Sequence, residues 1–237
     1  MIKRGFPKDL PVRPAHSLQL DWWVTQRNFV NIWMPEGVMS DGGNTVWFLL
    51  REVTDLRWSR DSNGVWESRF EIPERCEVVA RTNEREDGID FTIRLTNRGE
   101  QSWQDAHLPV CVQLATAPDF RDPGMERTFY RTGDGWQRFT PSDVNPVYPG
   151  GCHFFGNMKQ TENTPAGRAE IRVASQCGKW YLSHYFHEAT AVGGNCHETI
   201  CCVHSNPVVG TVRPGESKQV SGWVRVRNEP VDSPPLS

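Results

Sequence analysis

The chain has 237 residues, of which 23% are charged, and its formal net charge is −3. Because acidic and basic residues are interspersed, the sequence lacks the strongly basic patch by which proteins bind nucleic acid or anionic membranes, and neither is expected as a partner. A local basic groove for an acidic polysaccharide remains compatible with this charge.

The predicted elements are almost all strands. Residues 1–15 contain three prolines and many charges, which favours an arm. We expect one β-sandwich domain over residues 16–229 and a flexible Pro-rich tail over 230–237. Two aromatic-rich segments lie between residues 18 and 33. Strands are predicted over residues 44–51, 65–72, 76–82, 128–131, 152–155, 169–174, 179–185, 198–204 and 218–227. The dipeptides at 42–43 and 206–207 are interpreted as turns.

Two alternating segments lie in the middle of the chain. The first has apolar residues at every second position, namely Ile89, Phe91, Ile93 and Leu95, and this period indicates a strand with one buried face. In the second, Leu108, Val110, Val112 and Leu114 alternate with His107, Pro109, Cys111 and Gln113. The second segment is therefore predicted to present a histidine and an amide on the face opposite the core.

Cellular location is interpreted from two features. The N-terminus has no apolar run typical of a secretory signal, and no stretch reaches the roughly 18 apolar residues of a membrane span. Seven cysteines without framework spacing fit reduced thiols. We therefore expect a cytoplasmic protein without a membrane partner.

Two segments resemble galactose mutarotase-like proteins, the superfamily that includes the aldose 1-epimerases. In the first, Leu95-Thr96-Asn97 is followed by a polar loop and His107-Leu108-Pro109. In the second, the stretch 201–207 ends in His204-Ser205-Asn206-Pro207 and is followed by Arg213-Pro214-Gly215-Glu216-Ser217. The resemblance implies an all-β supersandwich with a carbohydrate site on one concave face.

In that family a histidine protonates the sugar ring oxygen while a glutamate takes the proton of the anomeric hydroxyl. His107 matches a family histidine, whereas His204 stands about where the glutamate belongs. This difference from the family pattern predicts a changed chemistry. Because imidazole has a pKa near working pH and can donate or accept a proton, His107 and His204 are predicted to serve as acid and base across the concave face. Tyr130 offers a phenol as an alternate acid, as polysaccharide lyases use.

Candidate ligand-binding residues come from the irregular excursion over residues 116–147 and from strand faces. Arginines can hold a sugar carboxylate, carboxylates can accept from sugar hydroxyls, and a tryptophan exposed by a turn can stack on a pyranose. The candidates are Gln113, Arg121, Glu126, Arg127, Trp136, His184 and Asn206.

No cofactor is expected, and no metal site is predicted from the spacing of the histidines and cysteines between residues 184 and 204. None of these spacings matches a zinc finger or ribbon. The alternative is a divalent metal bound by His184, His197 and Cys202.

The leading functional hypothesis is that this is a carbohydrate-active enzyme. It would act on a sugar or glycoside by histidine-mediated acid/base proton transfer, as an epimerase or a lyase does. One alternative is a non-catalytic carbohydrate-binding module. The other is a structural or assembly subunit, in which the excursion over residues 116–147 forms a protein interface. A homo-oligomer is compatible with each of these hypotheses.

Overall fold

The computed structural model describes residues 2–4, 18–22, 28–41, 45–49, 53, 56–132, 135–143, 153–155, 169–196 and 201–228. In these ranges the regular elements are β-strands and a short 3-10 helix, Pro141–Asp143. No helix among the described residues is long and apolar enough to span a membrane. The turn predicted at 42–43, His197 and the tail over 230–237 lie outside the described residues.

The strands are, in chain order, β1 (Ile2–Arg4), β2 (Leu18–Trp22), β3 (Asn28–Trp33), β4 (Gly37–Ser40), β5 (Thr45–Leu49), β6 (Trp58–Arg60), β7 (Trp66–Ile72), β8 (Cys76–Arg85), β9 (Gly88–Asn97), β10 (Trp103–His107), β11 (Cys111–Gln113), β12 (Thr128–Thr132), β13 (Gly135–Arg138), β14 (His153–Phe155), β15 (Ala169–Ala174), β16 (Tyr181–Phe186), β17 (Ala189–Cys196), β18 (Cys201–Val212) and β19 (Ser217–Arg227).

The described strands form two antiparallel sheets. The first sheet has the order β1-β2-β3-β11-β18-β10-β4-β5, and β17 also pairs with β18 and carries β14 on its other side. The second sheet has the order β13-β12-β15-β16-β19-β9-β8-β7-β6. Strand β1, which lies in the predicted arm, pairs with β2 in the predicted domain. The predicted all-β sandwich is confirmed.

The core lies between the two sheets, and the alternation predicted for β9 is confirmed. Ile89, Phe91, Ile93 and Leu95 are each at most 2% exposed. Burying side chains of this size stabilises a fold by roughly 1.5–3 kcal/mol each relative to leaving them exposed. Leu108, Val110, Val112 and Leu114 are also buried. The alternating residues of these segments therefore determine which face of each sheet packs inward.

The predicted second strand is in fact two. β10 ends at His107 and β11 begins at Cys111, and both pair with the same long strand, β18. β10 also pairs with β4, whereas β11 pairs with β3. The break allows consecutive parts of one segment to take different outer neighbours.

The turn predicted at Asn206-Pro207 is wrong, because both residues lie inside β18. The carbonyl of Pro207 accepts a hydrogen bond from the Leu108 backbone N–H at 3.0 Å. The proline nitrogen therefore points toward the break between β10 and β11, where the ladder needs no donor. Strand β17, which the sequence analysis did not predict, pairs with β18 along the adjoining part of its length.

The two segments that carry the family resemblance lie against each other. Thr96 and Ser217 share a hydroxyl–hydroxyl hydrogen bond of 2.8 Å, and the Gly215 N–H donates to the Asn97 carbonyl at 2.8 Å. The Asn97 side chain also donates to the carbonyl of Val212 at 3.0 Å. Gly215 has φ +77°, a conformation that favours glycine. This turn therefore joins the end of β18 to the start of β19.

A buried serine ties the first sheet to the second. The Ser205 hydroxyl donates to the Ala169 carbonyl at 2.7 Å and accepts from the Phe186 backbone N–H at 3.0 Å. Ser205 lies on the core face of β18, so these two hydrogen bonds fix the position of β18 relative to β15 and β16. The residues on either side of Ser205 in β18 point to the opposite face, away from the core.

Candidate functional site

The candidate site is on the face of the first sheet that points away from the core. Cys111 pairs with His204, and Gln113 pairs with Cys202 across the β11–β18 ladder. Asn195 pairs with Cys202 across the β17–β18 ladder. Because side chains alternate along a strand, these five residues project from one face, while Val203 and Ser205 project into the core.

Three of these side chains form a compact group, which we call the thiol–histidine cluster: Cys111, Cys202 and His204. Their sulfur and ring nitrogen atoms all lie within 4.8 Å of one another. The Cys202 Sγ is 3.3 Å from His204 Nε2. All three residues are at most 5% exposed. The face thus concentrates two thiols and an imidazole in a small buried volume.

Two amides hydrogen-bond to the sulfurs. The Asn195 Nδ2 donates to Cys202 Sγ at 3.1 Å, and the Gln113 Nε2 donates to Cys111 Sγ at 3.1 Å. Both donors reach the sulfurs from neighbouring positions on the same sheet. They stabilise negative charge on the sulfurs, because a hydrogen bond to a charged group favours that charged form.

Glu36 adds a carboxylate from the connection between β3 and β4. Its Oε2 is 3.9 Å from His204 Nδ1, and the side chain is 31% exposed. The Glu36 backbone N–H donates to the Pro109 carbonyl at 2.7 Å, which attaches this connection to the break between β10 and β11. Glu36 therefore borders the cluster and keeps contact with solvent.

These contacts shift the ionisation of the whole group. Burial alone would lower the pKa of His204, but Cys202 and the Glu36 carboxylate raise it to about 9. The Cys111 hydrogen bond and the neighbouring imidazolium hold the pKa of Cys202 well below that of an ordinary thiol. Burial raises the pKa of Glu36. The directions of these shifts favour a thiolate at Cys202 beside an imidazolium at His204, whereas burial raises the pKa of Cys111 and favours its thiol.

His107 lies on the same face, farther along β18. It pairs with Val208 on one side and with Met39 on the other. Val208 is four residues from His204, a separation of about 13 Å along the strand. His107 is half-buried, and burial lowers the pKa of its imidazole. The structure thus puts both candidate histidines on one side of the sheet without placing their rings in contact.

Two other predicted site residues lie in the core, on the second sheet. The Tyr130 hydroxyl donates to Gln137 Oε1 at 3.0 Å, and its ring packs on Phe139. His184 is fully buried beside Phe91 and Phe186, and burial lowers its pKa to about 3. Neither residue joins the thiol–histidine cluster.

Trp136 lies on the outer face of the second sheet. It is half-buried, and the Arg172 guanidinium lies 4.2 Å from its ring centroid. The sequence predicts that a turn exposes this tryptophan. In the structure Trp136 instead lies in strand β13, and its ring stacks against Arg172.

Of the charged candidates in the 116–147 excursion, one makes structural hydrogen bonds and the other two are at least partly exposed to solvent. The Arg127 guanidinium donates to the carbonyls of Asp119, Arg121 and Ala174 at 3.0, 2.6 and 2.5 Å. These bonds fasten the excursion to β15. Glu126 is exposed and Arg121 is half-buried.

Asn206 and Gln113 are the predicted binding residues that lie on the same face as the cluster. Asn206 is half-buried two positions beyond His204 on β18, and Gln113 contacts Cys111.

Sequence reasoning missed Glu36, Cys111 and Asn195 as site residues. For Cys111 the alternation of the segment 107–114 did give the correct face. Glu36 sits in an ordinary Met-Pro-Glu-Gly stretch, and Asn195 in a strand that was not predicted, so neither had a local signal. A carboxylate does lie beside His204, but it is that of Glu36, from the connection between β3 and β4.

The comparisons with known proteins concern the fold. No protein-family model matches the sequence, and no curated protein matches it. Three similar solved structures are a galactose mutarotase-like protein from Lactobacillus casei (TM-score 0.52, 11% identity, covering 84% of this chain and 85% of that one), a galactose mutarotase related enzyme from Lactobacillus acidophilus (0.52, 8%, 93% and 93%) and an aldose epimerase homologue from C. elegans (0.51, 7%, 91% and 93%).

These similarities extend over most of each chain at very low sequence identity, so they rest on architecture. They match the two antiparallel sheets and the strand content described above. The chain therefore has a galactose mutarotase-like β-sandwich fold.

Proposed function

We propose that this protein is a carbohydrate-active enzyme whose saccharide site is the face of the first sheet around Glu36, His204 and His107. The observation that carries the proposal is the Glu36–His204 pair, with 3.9 Å between carboxylate oxygen and ring nitrogen, on a fold shared with galactose mutarotase-like proteins. A carboxylate and histidines on one face are the groups that proton transfer to a sugar requires.

Glu36 is the group assigned to take a proton from the sugar. Its side chain reaches solvent, whereas the His204 side chain is only 7% exposed. His204 then acts from behind, because a ring N–H at Nδ1, 3.9 Å from the carboxylate oxygen, stabilises the carboxylate before it accepts the proton. In this proposal the proton of the sugar hydroxyl is therefore taken by a histidine–carboxylate pair, not by a histidine alone.

His107 is assigned the second proton transfer, in which it acts as the acid. As Glu36 takes the proton of the anomeric hydroxyl, the C1–ring oxygen bond breaks and His107, as its imidazolium, gives a proton to the ring oxygen, which leaves the open-chain aldehyde and a neutral imidazole. The lowered pKa of His107 makes its imidazolium a stronger acid for this step. Reclosure on the other side of the carbonyl returns both protons and gives the other anomer. The anomeric hydroxyl and the ring oxygen are both bonded to C1, so the acid and the base must reach one carbon. The hydrogen bond from the Glu36 backbone to the Pro109 carbonyl holds Glu36 near the end of β10, where His107 lies.

A second candidate is carbohydrate binding without catalysis. It is favoured by buried polar atoms on this face that have no hydrogen-bond partner among the described residues, the Asn31 Oδ1 and the Trp33 Nε1. Asn31 pairs with Gln113, and Trp33 pairs with Cys111, so both border the cluster. Such atoms are costly to bury unpaired and are satisfied by ligand hydroxyls or water.

The test is a panel of aldoses and uronic acids, with binding measured by calorimetry and anomer exchange measured by NMR saturation transfer. Exchange that is lost in His107→Gln, while the same sugar still binds, supports the enzyme. Binding without exchange for any member selects the binding protein. Release of unsaturated uronide absorbance from a polysaccharide selects a lyase. Neither binding nor turnover across the panel would overturn the proposal.

A further inference from the structure

We propose that Cys111, Cys202 and His204 form a Cys2His site for a divalent metal ion of the zinc class. This inference goes beyond the proposed function and does not rest on it, because metal binding can be measured without any sugar.

The spacing of the three donor atoms fits one small ion. A tetrahedral zinc ion with bonds of about 2.3 Å to sulfur and about 2.0 Å to nitrogen holds two such ligands roughly 3.5 Å apart. The Cys202 Sγ and the His204 Nε2 are already 3.3 Å apart. All three donor atoms lie within 4.8 Å of one another, so small side-chain rotations bring them to a common centre.

The backbone keeps the donors in this arrangement. Cys202 and His204 are separated by one residue on β18, so they project from the same face. Cys111 comes from β11, directly across the ladder from His204 and diagonal to Cys202. A site built on paired strands in this way is more rigid than one built on loops.

The surrounding groups are those that support metal ligands. A ligating histidine usually gives its second ring N–H to a carboxylate, which fixes the ring and strengthens it as a ligand. With Nε2 turned toward the sulfurs, His204 presents Nδ1 to the Glu36 carboxylate at 3.9 Å. The amides of Asn195 and Gln113 each donate a hydrogen bond to one of the two sulfurs, which would offset part of the negative charge that metal-bound thiolates carry.

The chemistry of the donors selects the ion. Two thiolates and an imidazole prefer zinc-class metals over magnesium or calcium, which take oxygen ligands. Three protein ligands leave a fourth position for water or another small molecule, as in catalytic zinc sites, whereas structural zinc sites commonly have four protein ligands.

The test is a titration of the reduced, chelator-treated full-length protein with Co²⁺, which reports its own ligands in its absorption spectrum. The expected result is one Co²⁺ per chain, with sulfur-to-cobalt charge-transfer bands and the intense visible bands of tetrahedral cobalt, all removed by one equivalent of Zn²⁺. Substoichiometric binding or a spectrum without sulfur bands would overturn the proposal. So would a Cys111–Cys202 disulfide that persists under reducing conditions.

Variants locate the site. Cys111→Ser and Cys202→Ser are expected to weaken Co²⁺ binding by more than the roughly 10–100-fold typical of changes outside the ligand set. Glu36→Gln is expected to weaken it by roughly 10–100-fold with the sulfur bands retained. Circular dichroism identifies any variant that fails to fold, and the Glu36 variant, which keeps all three ligands, remains informative in that case.

Two matched controls accompany these variants. Cys201→Ala removes the neighbouring buried thiol on the core face of β18, and Cys177→Ser removes an exposed thiol. Both are expected to bind Co²⁺ like the parent protein. Sulfur bands that disappear in a control, or that persist when Cys111 and Cys202 are both replaced by serine, would place the metal elsewhere and overturn the assignment.

Discussion

The outer faces of the two sheets bury polar side chains in different ways. On the second sheet the buried cations have partners of opposite charge: Arg172 lies 3.0 Å from Glu170, and Arg225 contacts both Asp87 and Asp90. Aromatic rings complete this face, with Arg172 over Trp136 and Arg225 over Trp223. We call it the arginine–aromatic face.

On the first sheet, by contrast, the thiol–histidine cluster gathers groups that can change protonation state or bind a metal. Buried polar atoms without a partner among the described residues border both faces: the Asn31 Oδ1 and the Trp33 Nε1 beside the cluster, and the Trp136 Nε1 on the second sheet. The difference lies in the charged groups, because a cluster of buried titratable groups with shifted pKa values is typical of sites that bind or react, whereas paired arginines and carboxylates are typical of structural contacts. Substitutions on the second-sheet face should therefore change stability alone, whereas those on the first-sheet face should change function, with smaller effects on stability.

The largest effect is expected at Glu36. If the carboxylate takes a proton from the sugar, Glu36→Gln should lower the turnover rate by roughly 10²–10⁴-fold, the usual contribution of a general base. Glu71→Gln, an exposed change on the second sheet, is the matched control and should turn over like the parent protein. The rate of anomer exchange on the sugar found in the panel measures both. Equal rates in the two variants would contradict the role of Glu36.

The next effect is expected on the arginine–aromatic face. Arg225→Ala removes a buried guanidinium that pairs with Asp87 and Asp90 and donates to the Ile89 carbonyl. Both carboxylates keep a second arginine, Arg227 and Arg85, so the free energy of unfolding should fall by about 1.5–3 kcal/mol, the range for hydrogen bonds to charged groups. Urea unfolding measures the change, with the exposed Arg94→Ala as control. An Arg225 variant as stable as the control would show that this face does not depend on its ion pairs.

A smaller effect is expected within the cluster. Cys202→Ala removes the acceptor shared by His204 and Asn195 and should cost about 2 kcal/mol, the desolvation penalty of the groups left unpaired. Replacing both partners, in Cys202→Ala with His204→Leu, should recover most of this loss, because apolar replacement of a whole pair is often nearly neutral. A double variant that loses the sum of the two single losses would contradict this account.

Ser205 tests how the sheets are held together. Ser205→Ala leaves the buried Phe186 N–H and Ala169 carbonyl without their shared partner, so the free energy of unfolding should fall by about 1–2 kcal/mol. Ser59→Ala, at an exposed strand edge, should change it by less than about 0.5 kcal/mol. Equal changes in both variants would show that the contact between the sheets contributes nothing.

The smallest effect concerns pH and Glu77 on the second sheet. The hydrogen bond from Arg98 holds the pKa of Glu77 below its ordinary value of 4.5. A lowered pKa gives stability that is present above the unfolded value and is lost as the pH falls through the folded value. The stability difference between the parent protein and Glu77→Gln should therefore shrink as the pH drops below 4.5. A stability difference between the two proteins that stays constant across acidic pH would contradict this prediction.

The amino-acid sequence by itself determined which residues face the core. Alternation is a local property with a period of two, so β9 and the inward side of residues 107–114 could be predicted without knowing any partner strand. The same pattern gave the all-β class, and it gave the face of Cys111 and Gln113. The resemblance to mutarotase-like segments indicated the fold, and the contact between Thr96 and Ser217 shows that those segments meet.

Only the tertiary structure decided which groups share the site. β11 and β17 flank β18, which puts Cys111 and Asn195 beside Cys202, and the β3–β4 connection brings Glu36 to His204. The strand containing Asn206 and Pro207 continues because its proline faces a break in the neighbouring ladder. These outcomes depend on pairing between residues far apart in the chain, and strand register is set by cross-strand packing that no local pattern encodes.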